Sequence, residues 1–137
     1  MQTAVLASLN RHRDLGLLII RLVLGVMFIL HGYPKLLGGP ELWTQLGGAM
    51  AHLGIDVAPQ VWGLLAALAE TVGGLFLLLG LFTRLACLAL TFTMIVAATM
   101  HLSTGDGLQG ASHAIELGAV FLGLVFVGPG RFSVDGR

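Results

Sequence analysis

Charge is what this chain has least of. Of its 137 residues only 10% are Asp, Glu, Lys or Arg, where a soluble domain carries roughly 25%. Seven basic and seven acidic side chains cannot cover a water-facing surface of this size, so a soluble globular protein is excluded. Their equality also removes the basic excess that nucleic acid requires. The single cysteine, Cys87, rules out an intramolecular disulfide and a zinc ribbon. There is no CxxCH for covalent haem, no GxGxxG after a strand, no phosphate-binding loop and no nucleophile elbow.

Apolar residues are abundant instead. They make up 56% of the chain, which also excludes disorder. The mean hydropathy is +0.93, and the composition is that of an integral membrane protein. Twenty glycines follow no collagen period; in a membrane chain they let helices approach closely.

A membrane helix needs about 20 mostly apolar residues. Four stretches qualify: residues 15–30 running into His31-Gly32-Tyr33-Pro34, residues 61–82, residues 85–100 ending at His101, and residues 108–127 ending at Gly128-Pro129-Gly130. Counted with their polar ends they predict spans of about 15–37, 59–82, 84–101 and 108–128 in a single transmembrane domain. Pro34 and the Gly-Pro-Gly run are expected to stop helices. Between spans one and two, Trp43, Leu46, Met50 and Leu53 recur at helical spacing, which predicts a short interfacial helix. Pro59 suits the first turn of span two, and Trp43 and Trp62 suit the interface. The fold class expected is an all-α four-helix membrane bundle. Arg21 interrupts the first apolar stretch and no small-residue cleavage site follows it, so span one is read as a retained helix rather than a signal peptide.

With the N-terminus inside, Arg11, Arg13, Arg21, Arg84, Arg131 and Arg137 all fall on the inner side. Only Lys35 falls outside, so six of the seven basic residues obey the positive-inside rule. Both termini are expected in the cytoplasm.

That orientation gathers His31, Lys35, His101, His113 and Glu116 at the outer side, with Glu70 near the middle of span two. Helical spacing adds direction. Arg21, Gly25, Phe28, His31 or Gly32, and Lys35 form one stripe. Gly63, Ala67, Glu70 and Gly74 form a small-residue stripe that turns Glu70 into the bundle. Cys87, Thr91, Met94, Ala98 and His101 make a third, and His113, Glu116, Val120 and Gly123 a fourth. The expectation is one inward polar pocket opening to the outer surface, with all four helices contributing.

An ionisable residue at membrane depth is expensive and functional by default. Each also has a bland reading. Glu70 as a structural hydrogen-bonding group, Arg21 as a snorkelling or structural side chain, Arg84 as a topology determinant and His101 and His113 as interfacial histidines are the alternatives. Cys87 reads as a small packing residue. Three chemistries fit the set. His31, His101, His113 and Glu116 are candidate metal ligands, with His113 and Glu116 three apart as in helical carboxylate–histidine sites. A quinone would need hydrogen-bond donors, proton-delivering groups and an apolar slot, which His31, Lys35 and Glu70 could serve. The same residues could relay a solute or proton. Spacing alone leaves these open.

The run Arg21-x-x-x-Gly25-x-x-Phe28-x-x-His31-Gly32-x-x-Lys35-Leu36 resembles the opening signature of the DoxX family. Glu70 followed by Gly73-Gly74, and then Gly80-Leu81-Phe82-Thr83-Arg84, is similar to that family's second helix and turn. The resemblance implies a small four-helix protein of the bacterial inner membrane with a redox link, some relatives being tied to quinone-dependent thiosulfate oxidation or to thiol handling. It points to Arg21, His31, Lys35 and Glu70, whereas His101, His113 and Glu116 rest on spacing. The leading expectation is a membrane redox component binding a quinone or small redox solute in the outer-half pocket. Its acting residues would be His31, Lys35 and Glu70, with Arg21, His31, His101, His113 and Glu116 around the ligand. A redox partner protein is expected, because no electron-carrying motif is present. The rivals are a small-solute or metal-ion transport protein and a membrane anchor whose small-residue face at residues 118–123 holds partners or a second copy.

Overall fold

The computed structural model describes residues 3–136. A short helix α1 (Ala4–Ala7) and a 3-10 turn (Ser8–His12) lead into α2 (Arg13–Leu37). Then come α3 (Pro40–Gly47), a 3-10 segment (Gly48–Leu53), α4 (Pro59–Leu79), α5 (Thr83–Ser103) and α6 (Gly107–Val127). No strand occurs among the described residues. Among the described residues, four helices are long and apolar enough to cross a membrane. The chain is an all-α membrane bundle in which α3 and its 3-10 continuation form a cap at one end.

Proline and glycine punctuate the chain. Pro40 and Pro59 open α3 and α4, where their missing N–H groups leave nothing unsatisfied. Gly80, at φ +68°, ends α4 in the left-handed conformation. Pro34 behaves differently from its expected role as a stop: α2 runs through it to Leu37. Pro34 has no N–H for the Leu30 carbonyl, so α2 lacks one intrahelical bond there and ends within a turn.

The bundle is built from two close pairs, α2 on α4 and α5 on α6, joined more loosely across α4 and α5. Glycine makes the first pair close. A Cβ at Gly25 would lie 2.7 Å from the Gly74 carbonyl oxygen, and one at Gly74 would lie 2.8 Å from that of Gly25. A Cβ at Gly32 would meet the Thr71 backbone nitrogen at 2.6 Å. Backbone therefore packs on backbone, as small residues permit in lipid. The second pair and the bundle centre are filled by Phe28, Leu77, Cys87, Leu90, Met94, Ala114, Phe121 and Leu124. The Phe28 and Phe121 rings meet edge to face with centroids 5.0 Å apart, linking α2 to α6.

Two faces differ from the sequence expectation. On α6 the buried positions are Ala111, Ala114, Phe121 and Leu124, so the stripe through His113, Glu116, Val120 and Gly123 looks outward. The small-residue face at 118–123 is also divided: Gly118 packs towards Met94 Cβ, while Gly123 has open space.

Candidate functional site

At the end of the bundle that holds α3, two of the anticipated residues meet. Lys35, in the last turn of α2, donates from Nζ to both carboxylate oxygens of Glu70 on α4, at 3.1 and 3.0 Å. Glu70 is held inside by its stripe: Gly63, Ala67, Glu70 and Gly74 are all buried. Its side chain is only 7% exposed, whereas that of Lys35 is 35% exposed. The pair thus has a dry acidic side and a wetter basic side. Trp43 Nε1 donates to the Lys35 carbonyl at 3.0 Å, so α3 fastens the helix end that carries the lysine. Gly63 and Gly47 allow this contact by letting α3 and α4 touch backbone to backbone.

The loose α4–α5 junction opens into a groove of about 970 Å³. Lys35, Glu70 and His101 are its ionisable members, at the α3 end. Leu65, Leu68, Val72, Leu85 and Phe92 carry it towards the opposite end, and each of them is exposed on the surface that meets lipid. A polar head opening sideways onto an apolar trough is the shape of a site for an amphipathic molecule. The volume falls in the range of small-molecule pockets, about 300–1,000 Å³.

The remaining anticipated residues do not join this pair. His31 is exposed, one turn before Lys35, and its Nδ1 lies 2.6 Å from the Met27 carbonyl of its own helix. Gly32, and not His31, occupies the inward register of the α2 stripe. His113 and Glu116 are exposed on the outer face of α6. His101 pairs with Asp106 at 2.7 Å. The proposed metal set of His31, His101, His113 and Glu116 is therefore dispersed. Among the described residues no three His, Cys, Asp or Glu side chains come together to hold an ion. The single pocket expected from all four helices is instead a groove between α4 and α5, headed by the ion pair from Lys35 of α2 and walled at that end by α3.

Arg21 takes the structural one of its two bland readings and not a place around a ligand. It does not snorkel; it is fully buried near the other end of the bundle. Its guanidinium donates to the Leu77 carbonyl at 3.1 Å and to the Phe132 carbonyl. Phe132 belongs to the segment after α6, which folds back across the bundle end. There Val134 and Asp135 donate their N–H groups to the carbonyls of Leu79 and Gly80, at 3.1 and 2.9 Å. The Asp135 carboxylate accepts from the Phe82 and Thr83 N–H groups at 3.0 and 2.9 Å, capping the free N-terminus of α5 from a distant segment. Arg84 Nε donates to the Val125 carbonyl, so this supposed topology residue also ties α5 to α6. Arg21 and Asp135 hold the closed end of the bundle, and Arg21 does not line the groove.

Sequence reading missed Asp135 and Asp106. Hydrogen bonds from the Thr83 and Phe82 backbone, with the Arg21 charge nearby, hold the Asp135 carboxyl below its ordinary pKa. A carboxyl lowered in the folded state stabilises above its unfolded pKa of about 3.9, and that contribution disappears as pH falls through the folded value. The wild type should accordingly lose stability from about pH 4 downwards, and Asp135→Ala should lose less over the same interval. Thermal unfolding in detergent at pH 7 and pH 3 checks this.

The DoxX family profile matches residues 16–102. An uncharacterized protein of Haemophilus influenzae is 33% identical over 136 residues, covering 95% of this chain and 96% of the relative. Inner membrane protein YqjF of Escherichia coli is 27% identical over 93% of this chain and 95% of its own. Putative oxidoreductase CatD of Bacillus subtilis is 27% identical over 65% of this chain and 61% of its own. No solved structure matches. The four apolar helices and the match across most of the chain agree: this protein is a membrane-spanning member of the DoxX family.

Proposed function

We propose that this chain is a redox-linked protein of the bacterial inner membrane that binds a quinone, its ring at Lys35 and Glu70 and its isoprenoid tail in the α4–α5 groove. The observation that carries the reading is the Lys35–Glu70 pair at the head of an apolar trough. A buried ion pair adds little to stability over well-packed apolar residues. Its placement at a groove mouth, where Lys35 remains partly exposed, favours a binding role. Lysine carries three N–H donors and spends two on Glu70, leaving one for a ligand carbonyl. Glu70 is the nearby group that can hold a proton. Reduction of a quinone takes up two electrons and two protons; the chain has no electron-carrying motif, so a partner protein exchanges the electrons. The naming of the Bacillus relative as a putative oxidoreductase supports a redox role.

Glu70→Gln keeps shape and hydrogen bonding but cannot carry the proton or balance the lysine charge. It should weaken quinone binding about tenfold, a loss of about 1.4 kcal/mol. His31→Ala, on the exposed face, should change binding less than twofold. Titration of the full-length protein in lipid nanodiscs with ubiquinone-1 decides: equal binding by wild type and Glu70→Gln would sink the reading.

The same proposal places the α3 end outside and both termini in the cytoplasm. Arg21, Arg84 and Arg131 at the closed end support it by the positive-inside rule. Alkaline phosphatase fused after Arg137 should be inactive, and an active fusion would reverse the orientation.

A further inference from the structure

The groove has a second ionisable wall that the quinone reading leaves unused. His101, in the last turn of α5, lines it opposite Lys35 and Glu70. Its Nδ1 lies 2.7 Å from Asp106 Oδ2. Asp106 stands immediately before α6, where an aspartate ordinarily caps the helix by accepting backbone N–H groups. Here it makes no capping bond. Its carboxylate turns back to the histidine, and the Asp106 N–H donates to the His101 carbonyl at 3.0 Å, closing the turn around the pair. Gly110 leaves the space for this: a Cβ there would lie 2.6 Å from Asp106 Cβ and 4.0 Å from His101 Nδ1. The hydrogen bond from His101 holds the Asp106 carboxyl below its ordinary pKa, so the carboxylate is ionised and can only accept. The shared proton therefore sits on Nδ1. In a neutral imidazole the other nitrogen, Nε2, is then an acceptor.

We infer that His101, with its tautomer fixed by Asp106, is the residue that distinguishes the reduced from the oxidised form of the ring in the groove. This rests on the quinone reading above. Lys35 offers a donor, which suits the carbonyl of a quinone. With the imidazole neutral, His101 offers an acceptor at Nε2, which suits the hydroxyl of a quinol and leaves a carbonyl unpaired. The two walls thus read different oxidation states, and Asp106 is a positioning residue that acts through His101.

The test compares ubiquinol-1, kept under argon, with ubiquinone-1, both titrated against the full chain in lipid nanodiscs. The titrations are run at pH 8. One hydrogen bond should alter the ratio of quinol to quinone affinity about fivefold to tenfold. His101→Ala should lower that ratio by this factor, because quinol loses a hydrogen bond that quinone does not make. Asp106→Ala should lower it part of the way, because the tautomer is no longer fixed while the imidazole remains. A purely structural role for the pair would weaken both ligands alike and leave the ratio unchanged. An unchanged ratio in both variants overturns the inference while leaving the quinone reading intact. Failure of the wild type to bind either form removes the quinone reading and this inference with it.

Discussion

Lys35→Met should destabilise the protein by about 3 kcal/mol, and adding Glu70→Leu to it should recover most of that loss. Removing one partner of a buried pair strands a charge, at a cost of about 3–5 kcal/mol. The lower end applies here, because Lys35 is partly exposed and water can reach its side of the pair. The stranded group in Lys35→Met is the carboxylate of Glu70, 7% exposed beneath Gly32 and Thr71. Replacing both members by apolar side chains of similar volume removes desolvation and attraction together, which is often neutral or stabilising. The coupling in the double-mutant cycle should then be roughly 2–3 kcal/mol. Unfolding in mixed detergent micelles supplies the stability values. Quinone titration of the same four proteins supplies the functional half of the experiment. The double variant should be folded and unable to bind. If it binds like the wild type, the pair is an internal fastening and the groove takes its ligand by apolar contact alone.

The fold was largely legible because lipid demands a simple pattern. Four apolar runs of membrane length predict four spans, and Trp43, Leu46 and Met50 predict the cap between the first two. What the pattern could not supply was the direction in which each helix faces. In water the polar side of a helix marks the outside. In a bilayer both sides are apolar, and only small residues and rare charges distinguish them. The glycine and alanine neighbours of Glu70 turned it inward correctly. On α6 the charges themselves were used as the marker, and His113 and Glu116 point outward. On α2, His31 and Gly32 are adjacent and both extend the stripe, so spacing could not choose between them; close packing on Thr71 chose the glycine.

Partnerships across long sequence distances were also hidden. The two terminal guanidinium nitrogens of Arg21 donate to carbonyls 56 and 111 residues away, and no side-chain motif announces a carbonyl. Asp135 lies in a short tail that composition would call a loop, yet it caps α5. The Gly105-Asp106-Gly107 turn just after His101 was the one available signal for the histidine–aspartate pair. A carboxylate between two glycines at a helix start is well placed to turn away from the helix it precedes.

A large steric effect should come from Gly63→Ala, a change of one methyl group. A Cβ at position 63 would lie 1.7 Å from the Trp43 carbonyl oxygen and 2.6 Å from its Cα. Both are backbone atoms of α3, so no side-chain rotation relieves the clash. Ordinary contact begins near 3.4 Å, and α3 must retreat by about the difference of 1.7 Å. Overpacking costs typically 1–3 kcal/mol, and with an unyielding neighbour the upper part of that range is expected. The consequence for function follows from what α3 holds. Trp43 bonds the carbonyl of Lys35 at 3.0 Å, and Leu46 and Gly47 form the groove wall beside the ion pair. A displaced α3 loosens the end of α2, so quinone binding should fall although neither Lys35 nor Glu70 has been changed. Gly48→Ala is the control: φ is −59° and nothing lies within 4 Å of its Cβ position. It should be stable and bind normally. Thermal unfolding and ubiquinone-1 titration of the two variants side by side test the point. Equal behaviour of the two would mean that α3 does not rest on α4 through Gly63, and the role of α3 as the fixed wall of the groove would have to be abandoned.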